Sequence, residues 1–558
     1  MNRSGPVPSA ATIALIVWLV AACGASSTDG RPSLGSLAAP ASVGPSEVDR
    51  PSASPSASAN RSPAASPSLA AAPFASVPLA VVTGFSNYRI NSVITTWELD
   101  ARLVAGTLLV PCGAESAVAA ALRASRPAGL LPSPSPSRWP VPSAAIPCIP
   151  ADLIPARLDP SSTLLGLLPP GLVTPRVNVV PIGGADLFGE QPARSVPYPL
   201  TIPVPDRWPA AWTAYDSTNV RVIITTGVNC PDRGVSRQTN VFGRGWDWLL
   251  TAGTAGYVGR AWDRRYGWWV VRAQRNGHAG SVAALIRNAD IAESDFECSM
   301  TRQFRQHDSG TVFSIDPRVA PLMVKAGFDV ATIAADHNTN VGTGSIVETV
   351  DLFRANGMQP VGGGRTLADA LRPAVIDVRG VRFGFVGFDA IGGSVSATPT
   401  RPGVAPLTAV TARKAIAAAR AAGADVVVAL PQWSSTEYRA AFTPFQRGLI
   451  GLLERAGADH IVGADFHWAG AISITPGGAS GYRFVSASQG NFWFGQDWSR
   501  QTQEGIITTL TFVGTQLVQV RLVPTVVLDD AQPNLTDPAT DGQFVLHQVL
   551  SVSTLVGR

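Results

Sequence analysis

From residue 217 onward, short runs of apolar residues alternate with segments in which apolar residues recur every three or four positions. The runs "NVRVIITTGVN", "VRFGFVGFDA" and "ADVVVALPQW" predict buried strands, and "SIVETVDLFRANG" and "TARKAIAAARAAG" predict the helices between them. This alternation is typical of βαβ units around a mostly parallel sheet. We therefore expect an α/β fold whose functional residues lie at the carboxyl ends of the strands.

The first 75 residues have a different pattern. Arg3 precedes an apolar run from Ala10 to Val20, and "VAAC" then ends at Cys23. This order predicts a lipoprotein signal peptide over residues 1–23, acylated at Cys23, and the alternative is an ordinary signal peptide with an incidental cysteine. Residues 24–75 are rich in Ser, Pro and Ala and predict a disordered linker. We expect an extracytoplasmic protein that is anchored to the cell membrane by lipid.

Residues 76–216 mix short apolar runs with helical stretches such as "ESAVAAALRAS", and predict a small α/β domain. The segments "PLAVVTGFSNYRINSVITTWELDARLVAG" and "VPYPLTIPVP" resemble one lobe of a bacterial solute-binding domain. A solute receptor would need convergent polar groups in this domain, and its sequence has no such motif. A second domain follows over residues 217–527, and residues 528–558 are expected to form a C-terminal tail with a last helix.

The chain has few charged residues, and almost all of its positively charged residues are arginines. Charged residues make up 15% of the chain, the formal net charge is +4, and Lys325 and Lys414 are the lysines. We recognise no Arg-rich run with interleaved aromatic residues, and therefore expect no nucleic-acid partner. The pI near 8.9 favours weak association with anionic surfaces or polymers.

Four cysteines remain once Cys23 is set aside: Cys112, Cys148, Cys230 and Cys298. An even number in an oxidising compartment predicts disulfides. Three pairings are possible, and the residues alone leave the choice open.

Polar residues that could bind a metal follow several of the predicted strands. These candidates are the loop over residues 228–233, Asp295, Glu297, Asp336, His337, Gln432, Asp465, His467 and Asn491. Carboxylates and imidazoles that converge on one pocket would suit one or two divalent cations. Each residue also has a simpler interpretation, as a helix cap, a turn former or a solvated loop residue.

Four of these segments carry a family resemblance. The segments "ADIAESDFECSMT", "AGFDVATIAADHNTNVGTGSIVETVDLFRANGMQPVGGG", "GADHIVGADFHW" and "ASQGNFWFGQ" resemble, in order and spacing, the CapA-type poly-γ-glutamate (capsule) biosynthesis proteins. The domain of that family is similar to the calcineurin-like metallophosphoesterases. The resemblance covers residues 219 to about 525 and implies a layered α/β/β/α domain. It also implies a role in making, exporting or attaching an anionic envelope polymer, with the polymer or its synthase as partner.

The chain departs from the family pattern at several candidate ligands. Val228 stands where the family has aspartate, and Gln432 where it has histidine. The His-Pro-His segment is replaced by Asp465-Phe466-His467. Aspartate replaces asparagine at Asp295 and Asp336, and asparagine replaces aspartate at Asn340.

Two accounts of the site follow from the resemblance. In the first, Asp295, Asp336, Asp465 and His467 bind a divalent metal in a hydrolase or transferase, with His337 as general acid and Glu297 and Gln432 in support. Such oxygen-rich ligands favour Mn²⁺, Mg²⁺ or Ca²⁺ over Zn²⁺. In the second account no metal is bound, and the domain is a catalytically inactive binding or scaffold protein of the envelope.

The resemblance also implies the disulfide pairing. It places Cys230 and Cys298 in the loops after two neighbouring parallel strands, and so pairs Cys230 with Cys298 and Cys112 with Cys148. The alternative for Cys230 and Cys298 is a pair of buried free thiols.

Overall fold

The structure is a computed structural model that describes residues 76–556, apart from residues 89–92, 126–145, 160, 162, 265–266 and 434–437. The expected signal peptide, Cys23 and the linker lie outside the described residues. Those residues belong to one compact unit of the chain. No helix among them has the length and apolar character needed to cross a membrane.

The first domain contains seven short strands and five helices. Its strands are β1 (Ser76–Pro78), β2 (Ala80–Gly84), β3 (Leu108–Pro111), β4 (Cys148–Ile149), β5 (Leu165–Leu168), β6 (Val177–Val179) and β7 (Thr201–Pro203). Its helices are α1 (Thr96–Val104), α2 (Glu115–Ala124), α3 (Ile154–Leu158), α4 (Gln191–Ser195) and α5 (Ala210–Thr213). Five strands form a sheet in the order β4-β3-β5-β2-β6, and β1 pairs with β7. Thr95 begins α1 through a reciprocal capping box with Glu98.

The second domain contains the remaining strands and helices. Its strands are β8 (Val220–Asn229), β9 (Thr254–Asp263), β10 (Trp268–Gly277), β11 (Ile291–Phe296), β12 (Val330–Thr332), β13 (Gln359–Val361), β14 (Gly363–Gly364), β15 (Ala374–Val378), β16 (Val381–Asp389), β17 (Gly403–Val404), β18 (Val426–Gln432), β19 (His460–Val462), β20 (Ile472–Pro476), β21 (Tyr482–Ser486), β22 (Glu504–Val513), β23 (Gln516–Leu528) and β24 (Gln532–Leu535). Its helices are α6 (Arg233–Ser236), α7 (Ser281–Asn288), α8 (Val319–Ala326), α9 (Thr343–Ala355), α10 (Leu367–Ala370), α11 (Ala409–Ala421), α12 (Pro444–Ala456), α13 (Arg500–Gln503) and α14 (Gln543–Leu550).

These strands build two large sheets that pack face to face. One sheet has nine strands in the order β10-β9-β24-β23-β22-β8-β11-β12-β13, and the other has six in the order β15-β16-β18-β19-β21-β20. Apolar residues of both sheets, such as Ile223 and Phe383, share the core between them. Helices α7, α8 and α9 cover the outer face of the first sheet, and α11 and α12 cover that of the second. The predicted layered α/β/β/α fold is confirmed.

The parallel strands of both sheets end at the same edge of this sandwich. Asp295 on β11 lies in register with Val228 on β8 and with Thr332 on β12. In the second sheet Asp389 is the register partner of Gln432. A backbone bridge between Val228 and Asn491 joins the two groups of strand ends. The short loops after these strands therefore meet, because the carboxyl ends of parallel strands lie at the same edge of a sheet.

The C-terminal residues are part of the second domain and do not form a separate tail. Strand β24 inserts between β9 and β23 in the nine-stranded sheet. The apolar face of α14, with Val545, Leu546 and Val549 buried, packs against the core between the sheets. The run "FVLHQVLSV" buries this face, and burial of that kind fixes a terminal helix in place.

The first domain packs against strand β23, in the interior of the nine-stranded sheet. The Val179 amide donates to Gln519 Oε1 (3.0 Å), and Arg521 donates to the buried carboxylate of Asp186 (2.7 Å). The Leu522 amide donates to Tyr88 Oη (3.3 Å). Polar contacts at this junction accompany a shared apolar cluster that includes Val220.

Candidate metal centre

Asp295 is the second-last residue of strand β11, and its carboxyl group is fully buried. Neither of its oxygens has a hydrogen-bond partner among the described residues. Burial, together with the smaller effect of the nearby negative charge of Asp336, raises the pKa of Asp295 to about 8. Because a buried carboxylate without donors is strongly unfavourable, the charged form of Asp295 requires a cation beside it.

Three further ligand groups lie next to one another in the adjacent loops. Glu297, Asp336 and His337 each offer one ligand atom, and these atoms all lie within 4.8 Å of one another. Glu297 follows β11, whereas Asp336 and His337 follow β12. Such spacing suits ligands of a single divalent cation.

One disulfide and one backbone bridge hold these loops together. Cys230 and Cys298 form a disulfide with a Cα–Cα distance of 5.2 Å, and Cys298 also bridges to His337 through the backbone. The other disulfide joins Cys112 to Cys148, with a Cα–Cα distance of 4.8 Å. The structure thus has the pairing that the resemblance implied. The Cys112–Cys148 pair lies near Glu115 at ligand spacing, but disulfide sulfurs are not available as thiolate ligands.

A neighbouring asparagine fixes the tautomer of His337. The Asn340 Oδ1 atom lies 2.9 Å from His337 Nδ1 and also accepts from the Phe313 amide at 3.0 Å. An amide oxygen can only accept, so the proton of the neutral imidazole lies on Nδ1. His337 Nε2 therefore presents its lone pair towards Asp336, whose Oδ2 is 3.6 Å away. This is the usual arrangement of a metal-binding histidine and its supporting hydrogen bond.

His467 is held in the same way by a second asparagine. The Asn491 Oδ1 atom lies 2.8 Å from His467 Nδ1. Asn491 Nδ2 donates to Gln496 Oε1 (3.2 Å) and to the Thr502 carbonyl (2.9 Å), which fixes the orientation of the amide. His467 therefore also carries its proton on Nδ1 and presents a basic Nε2.

The structure groups the predicted ligands differently from the sequence prediction. Asp336 clusters with Glu297 and His337, which were expected in supporting and catalytic roles. Asp465 instead accepts a hydrogen bond from Gln432 Nε2 at 3.3 Å, both residues being buried. Within the described part of the chain, no group of three ligand-type residues at this spacing includes Asp295, Asp465 or His467.

Backbone strain is concentrated around the same edge. Arg233, Tyr438, Asp465 and His467 have φ angles of 43°, 60°, 99° and 56°, and they are four of the eight non-glycine residues with positive φ in the described chain. Such conformations cost on the order of 1–3 kcal/mol each and are retained mainly where function requires them. Tyr438 belongs to the site because its ring stacks on His467 at 6.0 Å.

Arg233 places a positive charge beside these acidic groups. Its guanidinium lies over the rings of Phe313 (4.6 Å) and Phe494 (5.5 Å), and Phe313 packs edge-on against His337 (4.7 Å). Arg233 Nε has no hydrogen-bond partner among the described residues. Burial lowers the pKa of Arg233, but a guanidinium remains charged at neutral pH. Arg233 thus places a positive charge near the acidic groups, while its Nη2 donates to the Gly310 carbonyl.

Asp389 was not among the predicted site residues. It ends β16 and accepts from the amides of Ile391 (2.8 Å) and Gly392 (3.2 Å). Burial raises the pKa of Asp389, and the charge of Asp336 adds to the effect. The available signal was the apolar run "VRFGFVGF", which ends on a carboxylate in the same way as β11 does.

Val228 contributes backbone contacts where the resembling family has an aspartate. Its side chain is buried in an apolar cluster with Phe492. Its amide donates to the Gly490 carbonyl (2.9 Å), and its carbonyl accepts from the Phe492 amide (2.9 Å). Val228 therefore ties β8 to the loop that carries Asn491 and offers no side-chain ligand.

Similar solved structures include phosphoesterases and nucleotidases, at low similarity. The NAD nucleotidase of Haemophilus influenzae is 11% identical, with a TM-score of 0.32 over 60% of this chain and 57% of that protein. The calcineurin-like phosphoesterase YfkN of Bacillus subtilis is 12% identical, with a TM-score of 0.28 over 59% of this chain and 97% of that protein. Scores this low do not bear on the chemistry of the site.

The second domain is similar in sequence to known proteins. The family model described as "Bacterial capsule synthesis protein PGA_cap" matches residues 243–496. The capsule biosynthesis protein CapA of Bacillus anthracis is 27% identical over 277 residues, which are 48% of this chain and 65% of that protein. The PGA biosynthesis protein CapA of Bacillus subtilis (strain 168) is 28% identical over 230 residues, 40% of this chain and 59% of that protein. The chain thus spans less than two thirds of either relative. Residues 243–496 are thus similar to the CapA-type bacterial capsule synthesis proteins.

Proposed function

We propose that the protein is a divalent-metal-dependent hydrolase or transferase that acts on an anionic polymer of the cell envelope. The observation that carries this proposal is the cluster of Glu297, Asp336 and His337 at ligand spacing, next to the buried and unpartnered carboxyl group of Asp295. Three carboxylates and one imidazole favour Mn²⁺ or Mg²⁺ over Zn²⁺. The family of the second domain supports the polymer as substrate, because the curated relatives are capsule biosynthesis proteins.

The residues present fit a divalent cation. Asp295, Glu297, Asp336 and His337 would hold it, since a cation removes the cost of burying the Asp295 charge. A divalent cation at this position polarises a phosphoryl or acyl oxygen and lowers the pKa of a bound water.

The remaining site residues act on the substrate and on protons. Arg233 stabilises, through the charge of its guanidinium, the negative charge that develops on the substrate. His467 accepts a proton at Nε2 from the attacking water or hydroxyl and returns it to the leaving group, while Asn491 holds Nδ1. The rings of Phe313 and Phe494 exclude bulk water and orient the Arg233 guanidinium.

The alternative is a metal-free binding or scaffold protein of the envelope, and two observations favour it. Val228 offers no ligand where the family has aspartate, and the Gln432 amide donates to Asp465, an interaction that a histidine ligand would not make. In this alternative Asp295, Glu297 and Asp336 bind no cation, and the protein catalyses no reaction. The metal content of the protein separates the two functions.

The test is metal stoichiometry combined with turnover. The full chain is dialysed against Mn²⁺ and then buffer, and bound metal is measured for the wild type, Asp336→Asn, His337→Gln and the surface control Asp247→Asn. About one equivalent in the wild type and control, lost in both site variants, together with cleavage of a chromogenic phosphodiester or of poly-γ-glutamate, supports the enzyme. Less than a tenth of an equivalent in every protein would establish the scaffold alternative.

We also propose that the protein works outside the cell, tethered through Cys23. Support comes from the N-terminal sequence and from the two disulfides, which persist in oxidising compartments. A Cys23→Ser variant should move from the membrane fraction to the culture medium. Retention of that variant in the membrane fraction would contradict acylation as the anchor.

A further inference from the structure

The β9–β10 hairpin extends beyond the strands that support it. Strand β10 is at the edge of the nine-stranded sheet, and β9 is paired with β24 at one position, Thr254 with Leu535. Tyr257 fixes the base of the hairpin, since its amide donates to Asp541 (3.0 Å) and its hydroxyl donates to Glu504. Beyond this base, no third strand of the described chain is added to the two-stranded ribbon. A ribbon of two strands is by itself only marginally stable in water.

Two tryptophans and an arginine share one face of this ribbon. Trp262 and Trp269 are register partners, and Arg260 and Val271 form the pair two residues further along, so the four side chains point to the same side. The indole rings pack edge to face at 5.8 Å, yet they remain 51% and 59% exposed. Large aromatic side chains exposed side by side indicate an interaction surface.

Arginines accompany the two tryptophans. The run "GRAWDRRYGWWVVR" contains four arginines and one acidic residue, and Arg260, Arg264 and Arg272 are exposed. This run corrects the statement from the sequence that no arginine-rich run with interleaved aromatic residues is present. Tryptophan and tyrosine together with basic residues are typical of segments that lie in the headgroup region of a membrane.

We propose that the β9–β10 hairpin docks on the surface of an anionic lipid bilayer, with the rings of Trp262 and Trp269 among the headgroups and the arginines beside lipid phosphates. Guanidinium groups bind phosphate in bidentate geometry, which adds to the attraction between opposite charges. A linker alone leaves the orientation of the protein free, and a second contact at the hairpin fixes it. Docking requires no metal and no turnover and lies beyond the proposed enzymatic function.

Charge and the length of the N-terminal segment favour a bilayer as the occupant. An excess of arginine over acidic residues in the hairpin complements the negative charge of anionic lipids. The 52 residues over 24–75 are expected from their composition to be disordered, and such a chain has a root-mean-square span of about 40 Å. A protein tethered at Cys23 therefore stays near the membrane, and a weak surface affinity is sufficient. This step rests on the proposed anchoring at Cys23.

Other occupants fit the hairpin less well. Strand β10 has register shifts between Arg272 and Ala273 and between Arg275 and Gly277. Such irregularities, and arginines on an edge strand, oppose pairing with a strand of a second copy. Single-stranded nucleic acid requires a continuous basic groove. The cleft beside the hairpin is lined by Asp541 and by Arg500, and Arg500 is paired with Glu504 (2.7 Å), so the cleft is not such a groove.

Binding to lipid vesicles tests the proposal. Every protein is the full chain with Cys23→Ser, so that no acyl chain contributes and residues 1–23 contribute equally. Co-sedimentation is measured with vesicles of phosphatidylglycerol and with vesicles of phosphatidylcholine, and the phosphatidylglycerol vesicles should be bound more tightly. Arg264→Gln should weaken binding to phosphatidylglycerol by about fivefold. The double variant Trp262→Ala/Trp269→Ala should weaken it by about tenfold.

Matched controls lie elsewhere on the surface. Arg413→Gln on α11 and Trp97→Ala in the first domain remove an exposed arginine and a tryptophan that is 55% exposed, and both should bind like the parent protein. A second measurement uses brominated phosphatidylglycerol, which quenches the fluorescence of tryptophans that contact the bilayer. Trp262→Phe/Trp269→Phe should lose a quenched component that Trp97→Phe retains, whatever else holds the chain on the vesicle.

Several results would overturn the proposal. They are equal binding by the hairpin variants and the controls, equal quenching in the two phenylalanine variants, and equal affinity of the parent protein for the two lipids. Tighter binding of single-stranded DNA than of vesicles would assign the hairpin to nucleic acid, and a dimer that Trp262→Ala/Trp269→Ala separates would assign it to a second copy. Equal thermal unfolding midpoints show that a loss of binding is not a loss of fold. Neither assay requires metal or acylation of Cys23, so failure here is distinguishable from failure of the proposed activity or anchor.

Discussion

Replacing Asp295 by asparagine should stabilise the metal-free protein. The folded-state pKa of Asp295 is about 8, against 3.8 for an exposed aspartate. Between these values the folded protein keeps a proton that the unfolded chain releases, so the wild type loses stability as the pH rises from about 4 to 8. At pH 7 the penalty is on the order of 4 kcal/mol. Asparagine cannot ionise and avoids it, while its amide is buried in the same place as the protonated carboxyl group.

A bound cation should reverse the difference in stability between Asp295→Asn and the wild type. The cation stabilises the charged form of Asp295, which then contributes to affinity, and a carboxylate ligand replaced by an amide binds a hard cation more weakly. In saturating Mn²⁺ the wild type should therefore gain stability relative to Asp295→Asn. The sign of the difference between the two proteins thus depends on metal.

Urea denaturation measures both effects. Midpoints are compared at pH 5 and pH 7.5, with a chelator and with Mn²⁺, using Asp247→Asn as the control because its carboxylate is 72% exposed beside Lys325. Equal stability of the wild type and Asp295→Asn in chelator at pH 7.5 would refute the argument from burial. An equal gain with and without Mn²⁺ would show that Asp295 does not contact the metal.

Three further results are expected. Asn340→Leu removes the acceptor that fixes the His337 tautomer. It should weaken metal binding by about 10- to 100-fold, measured in a competition assay with a chromogenic chelator. An unchanged metal affinity would contradict the assigned tautomer. Arg233→Gln should lower turnover by about 10²-fold with metal content unchanged. The control is Arg237→Gln, since Arg237 is a partly exposed neighbour of Arg233, and this variant should have wild-type turnover. Equal activities of the two variants would remove Arg233 from the site. Burial lowers the pKa of His460 from 6.5 to about 4. The free energy of unfolding should therefore be constant above pH 6.5 and fall by about 3 kcal/mol as the pH drops to 4. Urea midpoints of His460→Asn should lack this decrease, and an acid profile identical to that of the wild type would contradict the prediction.

The sequence predicted the strand ends better than the contacts between them. Apolar runs that end on Asp295, Asp336 and Gln432 indicated parallel strands and their shared edge, because strand periodicity is a local property. The hydrogen bond that His337 Nδ1 donates to Asn340 Oδ1 depends on the shape of a turn, which periodicity does not encode. For that reason the ligand spacing of His337 with Glu297 and Asp336 emerged only from the structure.

The pair of exposed tryptophans on the hairpin of β9 and β10 was missed for a different reason. Trp262 and Trp269 are separated by six residues in the sequence, and only strand pairing brings their rings to 5.8 Å on one face. Its charge is equally hidden in a chain whose total is only +4. Composition averaged over the whole protein therefore concealed a local surface that antiparallel register creates.

The departures at the acidic edge compensate one another in space. Val228 on β8 and Asp295 on β11 are register partners on adjacent parallel strands, and neighbouring strands lie about 5 Å apart. Where the resembling family has an aspartate on β8 and an asparagine on β11, this chain has the apolar residue on β8 and the carboxylate on β11. This chain therefore keeps a carboxylate at the site, on the strand next to the one that carries it in the resembling family. This shift also explains the burial of Asp295, because Val228 and its apolar neighbours exclude water from the side on which the carboxylate would otherwise be solvated. An unpartnered carboxyl group at this position destabilises the metal-free fold, and a bound cation would remove that cost.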